Sequence, residues 1–202
     1  MDEEYQPGAS ESEWQEAWAD AGIFVAEQAD ERPKFYCLEM YPYPSGSMHM
    51  GHVRNYSIGD AVARYRRADG FNVIYPMGFD SFGMPAENAA IEEGGHPHEI
   101  IERNIVKIKA DFAKMGFSHD WRRELRSHDP DYYRWNQHYF LKFLEKGLAY
   151  RAFGAVNWCE ECQTVLAKEQ VITDTCWRCH STVTVRDMDQ WYLKITDYCQ
   201  EL

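Results

Sequence analysis

The sequence predicts an α/β fold with a parallel sheet and a small cysteine-rich insert, and two observations carry this prediction. A short apolar run, Lys34–Met40, is followed by a helical stretch from Met50 to Asp69 and by a second short run, Phe71–Tyr75. Strand, turn, helix and strand in this order form a βαβ unit, whose two strands are parallel. The second observation is a pair of Cys-x-x-Cys motifs between residues 159 and 179, in a region without helical periodicity.

The composition is that of a folded protein. Of the 202 residues, 45% are hydrophobic and 15% are aromatic, which excludes a disordered chain. No apolar run approaches the roughly 18 residues of a membrane span, and the acidic N-terminus differs from a secretory signal. We therefore expect a cytoplasmic protein without a membrane partner. The net charge is −12, of which −9 lies in residues 1–32, so the acidity does not exclude a nucleic-acid partner for the remainder.

Turn and cap residues predict the elements of the N-terminal half. The segment Ser10–Glu13 matches a capping box, which predicts a helix that begins after Ser10 and ends before Gly22. Two prolines and a glycine exclude a helix over residues 41–47. Gly70 is a suitable end for the helix that begins near residue 50.

The C-terminal half is predicted to contain two further long helices. The first starts at Pro97, and its apolar residues share one face: Ile101, Ile105, Ile108, Phe112 and Met115. Asp129 and Pro130 predict the start of the second, as N-cap and first helical residue. Trp191–Ile195 is predicted to be a strand, and residues 199–202 are predicted to open another helix.

Two histidines lie where the first long helix is predicted to begin. His49 and His52 are three residues apart, so both can face one anion, and the helix N-terminus adds N–H groups and a positive dipole end. Gly51 would let a flat ring or a phosphate approach the backbone closely. The pattern favours a nucleotide site that stabilises charge on a transferring phosphate. A metal pair and two surface histidines remain alternatives, and no G-x-G-x-x-G or P-loop motif is present in the sequence.

The loop over residues 78–87 directly follows the second predicted strand. In a parallel sheet this loop lies beside the turn after the first strand, where open α/β sheets bind ligands. Asp80 stands there among aromatic residues and glycines, and we predict that it holds a cationic ammonium group. A simple turn with a capping aspartate is the alternative.

The four paired cysteines predict a structural zinc site. Cys159, Cys162, Cys176 and Cys179 form two Cys-x-x-Cys pairs, which can surround Zn²⁺ with four thiolates and leave no open position. Disulfides are the weaker interpretation without a secretory signal. We expect the two other cysteines, Cys37 and Cys199, to be ordinary buried thiols. Further histidines without a partner at an obvious spacing are expected to be surface or core residues: His96, His98, His119, His128 and His138.

The run Met40–Tyr56 (MYPYPSGSMHMGHVRNY) resembles the leucyl-tRNA synthetases, in the region of the His-Ile-Gly-His-type signature of class I synthetases. Gly78–Glu87 resembles the next block of that family, with Phe79, Ser81 and Met84 as mild departures. Residues 131–135, 156–159, 164–167 and 190–196 are also similar. The resemblance covers residues from about 5 to 202 and is strongest to the bacterial-type form.

The resemblance implies a Rossmann-like parallel sheet, the first half of a class I synthetase catalytic domain, with a zinc-ribbon insert. The implied domains are residues 1–152 for the N-terminal helix and first half-domain, 153–188 for the zinc insert and 189–202 for the return to the core. No Lys-Met-Ser-Lys-Ser-type loop matches, and 202 residues cannot hold the editing and anticodon-binding domains. An N-terminal part of a longer enzyme, without normal aminoacylation activity by itself, is therefore expected.

The implied activity is that of a leucine–tRNA ligase, which activates leucine to leucyl-adenylate and transfers it to tRNA(Leu). The implied cofactors are ATP, Mg²⁺ and Zn²⁺, and a monomer is expected. By the family pattern, His49 and His52 are catalytic at the phosphate. The ATP-binding residues would be Pro42, Tyr43, Pro44, His49, Gly51 and His52, and the leucine-binding residues would be Met40, Tyr41, Tyr43 and Asp80. Tyr41 departs from the Leu or Phe that the family often has.

Two other functions remain open at this point. The first is another class I nucleotidyl transferase, which the loop after Gly78 and the cysteine insert disfavour. The second is a non-catalytic, synthetase-like zinc-ribbon binding protein. A reading frame that continues past Leu202 into an editing domain would exclude the second alternative.

Overall fold

The computed structural model describes residues 7–44 and 46–201, and the chain divides into two compact units between Tyr133 and Arg134. Each unit is described by itself. Among the described residues, none of the helices combines the length and the hydropathy that crossing a membrane requires.

The first helix begins earlier than the sequence suggests. Helix α1 spans Pro7–Asp20, so the prediction of a capping box at Ser10 is wrong. A proline is favoured in the first helical turn, because its missing N–H would have no partner there. The Ser12 hydroxyl donates to the Gly8 carbonyl at 3.0 Å, inside the helix.

The βαβ unit is confirmed. Strand β1 (Lys34–Tyr36) and strand β2 (Asn72–Ile74) pair in parallel, with Phe35 opposite Val73, and helix α2 (Met50–Ala68) connects them. Strand β1 is shorter than predicted: the Cys37 N–H still donates to the Ile74 carbonyl, and the chain then leaves the sheet. The turn from residue 37 to 49 therefore starts at the carboxyl end of β1.

A second parallel pair extends the first unit. Strand β3 (Gly78–Phe79) pairs with strand β4 (Leu125–Arg126). A Cβ at Gly78 would lie 2.6 Å from the Leu125 side chain and 2.7 Å from the Leu125 carbonyl oxygen. Only glycine therefore allows this approach.

Two helices lie between β3 and β4 in the chain, α3 (Met84–Glu93) and α4 (Pro97–Lys114). The predicted start of α4 and its apolar face are confirmed, except that Met115 is the exposed C-cap residue. The face packs into the main core of the unit, whose buried members are Tyr56, Met77, Phe79, Ala86, Ile101, Ile105, Ile108, Phe112 and Phe117.

The chain passes into the second unit within helix α5 (Pro130–Glu145), whose predicted start is confirmed. Strands β5 (Ala149–Cys159) and β9 (Val183–Leu193) form a long antiparallel pair, and β6 (Thr164–Leu166) pairs with the other edge of β5. Strands β7 (Val171–Ile172) and β8 (Thr175–Cys176) form a short antiparallel ladder.

The C-terminal predictions are only partly confirmed. The predicted strand at residues 191–195 belongs to β9 but ends at Leu193. The helix predicted from residue 199 is wrong as far as residue 201, because a 3₁₀ turn, Ile195–Tyr198, is followed by a plain turn. The N–H groups of Cys199 and Glu201 donate to carbonyls three residues before them, which is the bonding of tight turns and not of an α-helix. The domain boundaries at 152/153 and 188/189, which β5 and β9 cross, stay predictions.

Candidate functional site

Helix α2 is capped by the two histidines of the predicted nucleotide site. The Gly51 N–H donates to Nδ1 of His49 at 3.1 Å, and the His49 N–H donates to Nδ1 of His52 at 3.3 Å. This reciprocal pair is a capping box, with histidine in both roles. The two rings stack with their centroids 3.9 Å apart.

The caps decide which ring nitrogens carry the protons. A neutral imidazole has one donor and one acceptor nitrogen, so a ring whose Nδ1 accepts carries its proton on Nε2. Burial, and then the neighbouring His49, lower the pKa of His52, which keeps that ring neutral. His49 and His52 therefore present two Nε2–H donors at the positive end of α2. A Cβ on Gly51 would lie 2.9 Å from the His49 ring, so a larger residue would displace this ring.

The segment before these histidines is held by side chains from two helices. The Tyr56 hydroxyl of α2 donates to the Met40 carbonyl at 2.9 Å, and the Asn104 amide of α4 donates to the Pro44 carbonyl at 2.9 Å. The Asn104 contact was missed by the sequence analysis. Its signal is a polar residue on the otherwise apolar face of α4.

Asp80 lies beside this segment, as the parallel strand order predicts. Its N–H donates to the Pro42 carbonyl at 2.9 Å. The Ser127 hydroxyl accepts from the N–H groups of Ser81 and Phe82 at 2.8 and 3.0 Å, and lies 3.4 Å from Oδ1 of Asp80. Ser127 thus fixes the loop that presents the Asp80 carboxylate, and no sequence pattern pointed to it.

The other predicted leucine and ATP residues differ in exposure. Met40 is 79% exposed and Tyr43 is 56% exposed, whereas Pro42 and Pro44 are buried. Tyr41 is half-buried, and a hydrogen bond with Tyr132, together with burial, raises the pKa of Tyr41 to about 12. Tyr41 is therefore a neutral hydroxyl near pH 7.

The four paired cysteines of the second unit converge. Their Sγ atoms all lie within 4.8 Å of one another, with 3.4 Å between Cys159 and Cys179 and 3.9 Å between Cys162 and Cys176. Tetrahedral zinc with Zn–S bonds of about 2.3 Å needs sulfur atoms about 3.8 Å apart. The residues therefore fit a zinc ion.

The environment of Cys179 also favours its thiolate form, which is the form that binds a metal. The Ser181 hydroxyl, 2.9 Å from the sulfur, lowers the pKa of Cys179 to about 6. Of the two remaining cysteines, Cys37 is buried as expected, and its thiol donates to the Gly59 carbonyl at 3.6 Å. The expectation of a buried Cys199 is wrong, because this residue is exposed in the C-terminal turn.

The first unit thus combines a parallel βαβ unit with two histidines at the helix N-terminus, and the second unit holds four convergent cysteines. The family model of class I tRNA synthetases (I, L, M and V) matches residues 13–202, and the chain belongs to this family.

Within that family, curated relatives that are more than 50% identical to this chain include leucine–tRNA ligases. The chain is 54% identical over 198 residues to the leucine–tRNA ligase of Nitratidesulfovibrio vulgaris and 52% identical over 199 residues to that of Thermotoga maritima. Each match covers 98% of this chain and 24% of the relative. The chain therefore spans about a quarter of the length of the curated relatives it matches.

Solved structures of two tRNA synthetases are also similar to this chain. The agnB2 LeuRS of Agrobacterium radiobacter, in a ternary complex with tRNA and LeuAMS, matches with a TM-score of 0.91 and 42% identity, over 98% of this chain and 25% of that one. The Mycobacterium tuberculosis methionyl-tRNA synthetase, in complex with methionyl-adenylate, matches with a TM-score of 0.68 and 20% identity, over 84% of this chain and 34% of that one. The second match shows the fold alone.

Proposed function

We propose that this chain is the part of a leucine–tRNA ligase that binds ATP and leucine for the formation of leucyl-adenylate. The observation that carries the proposal is the pair of Nε2–H donors of His49 and His52, at a helix N-terminus that follows a parallel strand. The backbone bond from Asp80 to Pro42 brings a carboxylate to the same turn. The leucine–tRNA ligase relatives support leucine as the amino acid.

The proposed chemistry needs donors where negative charge grows. A leucine carboxylate oxygen bonds to the α-phosphorus of ATP, the bond from that phosphorus to the bridging oxygen breaks, and pyrophosphate leaves. Charge accumulates on the phosphate oxygens in the transition state, where preorganised N–H donors contribute most. His49 and His52 supply two such donors, and the dipole of α2 adds to them. Mg²⁺ would accompany ATP and screen its phosphates.

Leucine and adenosine recognition fall to the neighbouring residues. We assign Asp80 to the leucine ammonium group. The Ser127 hydroxyl bonds its carboxylate and the Pro42 carbonyl accepts from its backbone N–H, so the carboxylate is a fixed partner for a cation. Met40, Tyr41 and Tyr43 would line the leucine side. Pro42, Tyr43 and Pro44 would contact ATP, and the missing side chain of Gly51 would let the adenine approach the helix.

Two further assignments complete the proposal. Zn²⁺ would be held by the thiolates of Cys159, Cys162, Cys176 and Cys179 and would have a structural role, since four protein ligands leave no open position. The acceptor of the leucyl group would be tRNA(Leu), bound by the whole enzyme.

Binding of LeuAMS, a leucyl-adenylate analogue, tests the proposed function. Calorimetry should show saturable binding, and Asp80→Asn should weaken it at least about tenfold, because the ammonium group loses its charged partner. Asp69→Asn, an exposed carboxylate at the end of α2, is the matched control and should bind as the unsubstituted protein does. Absence of saturable binding, or unchanged binding by Asp80→Asn, would overturn the proposal. Equal affinity for the methionyl analogue would overturn leucine as the substrate.

A further inference from the structure

A second cluster of ligand-type side chains lies in the first unit, and the proposed reaction does not use it. His98, Glu102 and His128 each place a ligand atom within 4.8 Å of the other two. His98 and Glu102 share one face at the start of α4, one helical turn apart. His128 follows strand β4, so the fold brings together residues that are far apart in the sequence.

The hydrogen bonds of Ser81 fix the tautomer of His128. The Ser81 hydroxyl donates to the Phe79 carbonyl at 3.2 Å, so its oxygen accepts from the Nδ1–H of His128 at 2.6 Å. A neutral His128 then has its lone pair on Nε2. This nitrogen faces Oε1 of Glu102 at 3.1 Å. Two acceptors at that distance require a positive charge on or between them, either a proton or a metal cation.

The surrounding charges favour a cation. Arg126 donates to the other oxygen of Glu102 at 2.6 Å and pairs with Glu124 at 2.8 Å, so its charge is shared between two carboxylates. Oδ1 of Asp129 lies 3.7 Å from Nε2 of His128. Lys109 also pairs with Glu124, so the three carboxylates are accompanied by two cationic side chains and retain one negative charge in excess.

The cluster is also accessible. It borders a groove of about 330 Å³ that is lined by His98 and His128 and also by Phe82, Glu87 and His96. His98 is exposed at the first turn of α4, so its ring can move toward the other two side chains without disturbing the core. Bonds of about 2.0–2.2 Å to zinc require such a movement.

We propose that His98, Glu102 and His128 form a second divalent-metal site, selective for zinc-like ions and separate from the four cysteines. Two imidazole nitrogens and one carboxylate oxygen are a donor set of zinc sites that keep a position open for water or a ligand. Ser81 and Arg126 orient His128 and Glu102 through their other polar atoms, as outer-shell partners of metal ligands do. Two of the three proposed ligands, His98 and His128, line the groove, from which a ligand could reach the metal.

Cobalt(II) titration tests the site. Untagged protein that already holds one equivalent of zinc is titrated with Co²⁺ and followed by visible absorption. We expect one further equivalent to bind, with weak ligand-field bands and without the sulfur charge-transfer bands of a thiolate site. His98→Ala and Glu102→Gln should each weaken this binding at least about tenfold, the loss that removal of a metal-orienting group already causes.

His138→Ala is the matched control, because this exposed histidine of α5 is outside the cluster, and it should leave the titration unchanged. Since His98 is exposed, its replacement leaves the fold intact, and circular dichroism verifies this. If the zinc-loaded protein binds no Co²⁺, a proton alone joins His128 to Glu102, and the proposal is overturned. The proposal is also overturned if the His98→Ala protein binds Co²⁺ as tightly as the unsubstituted protein does.

Discussion

The two units of this molecule are built on different physical principles. The first buries large hydrocarbon side chains around α4, among them Ile101, Ile105 and Phe112. In the second, the main buried cluster consists of Cys159, Leu166 and Cys176, while large side chains such as Phe153 and Trp191 stay exposed. Apolar burial therefore stabilises the first unit. Strands β5 to β9 have little apolar core among the described residues, so we expect the zinc proposed at the four cysteines to stabilise them instead. The two units should respond to different perturbations.

Loss of the zinc proposed at the four cysteines should have the largest effect, and it should act on the second unit. Structural zinc contributes about 10–16 kcal/mol of apparent binding free energy, which small metal modules need to fold. A chelator, or Cys159→Ser, should therefore unfold strands β6 to β8. Hydrogen exchange should show loss of protection there, while the amide of Ile105 in α4 keeps its protection. Retained protection in the β6–β8 region without metal would contradict the comparison.

Truncation of a core side chain should instead destabilise the first unit. Phe112 is buried against Tyr56, Phe117 and Trp121, and Phe112→Ala should lower the free energy of unfolding of this unit by about 3–5 kcal/mol. Val106→Ala, on the exposed side of the same helix, is the control and should change it by less than about 0.5 kcal/mol. Urea denaturation of the zinc-loaded protein measures both. Equal effects of the two substitutions would show that α4 is not the centre of the core.

Acid should also destabilise the first unit through His119. This side chain is buried among aromatic rings, neither ring nitrogen has a hydrogen-bond partner among the described residues, and burial lowers its pKa from 6.5 to about 4. Between pH 6.5 and pH 4 the unfolded chain therefore binds a proton at His119 that the folded unit does not bind. The free energy of unfolding is highest above pH 6.5 and falls as the pH drops toward 4. The loss is roughly 3 kcal/mol.

Replacement of the ring tests this assignment. His119→Phe should remove most of that pH dependence of the unfolding free energy, and His138→Phe, at an exposed position, should not. The measurement is the difference in unfolding free energy between pH 7 and pH 4.5. A His119→Phe protein that loses as much stability in acid as the unsubstituted protein would contradict the assignment.

The smallest effect on stability is expected at the candidate site itself. His49→Ala removes an N-cap acceptor and should cost about 1 kcal/mol. His49→Asn should cost almost nothing, because asparagine is among the best N-cap residues and its side-chain oxygen can replace Nδ1. Thermal unfolding of the two variants measures the difference. Equal stabilities would show that the His49 cap does not stabilise α2.

Local signals explain what the sequence could predict. Residues close together in the chain predict three features: the starts of α4 and α5 at Pro97 and Pro130, the βαβ unit, and the convergence of the cysteines. Two contacts depend instead on the pairing of β3 with β4: that of Ser127 with the Asp80 loop and that of His128 with Glu102. The spacing of residues along the sequence does not predict this strand pairing. For the same reason His98 and His128 showed no partner in the sequence.

Two of the wrong predictions concern helix boundaries. Helix α1 begins before Ser10, and a 3₁₀ turn followed by a plain turn stands where a helix was predicted near residue 199. Propensity is a weak guide in such segments.

LeuAMS binding by His49→Asn tests most directly the central claim that His49 and His52 form an anion-binding pair as well as a helix cap. The variant keeps the cap and replaces the Nε2–H donor by the amide N–H of a shorter side chain, which does not reach as far as the histidine ring. We predict that it unfolds at the same temperature as the unsubstituted protein and binds LeuAMS at least about tenfold more weakly, since a hydrogen bond to a charged group contributes about 1.5–3 kcal/mol. Unchanged affinity for LeuAMS at unchanged stability would contradict the claim and would leave His49 with a capping role alone.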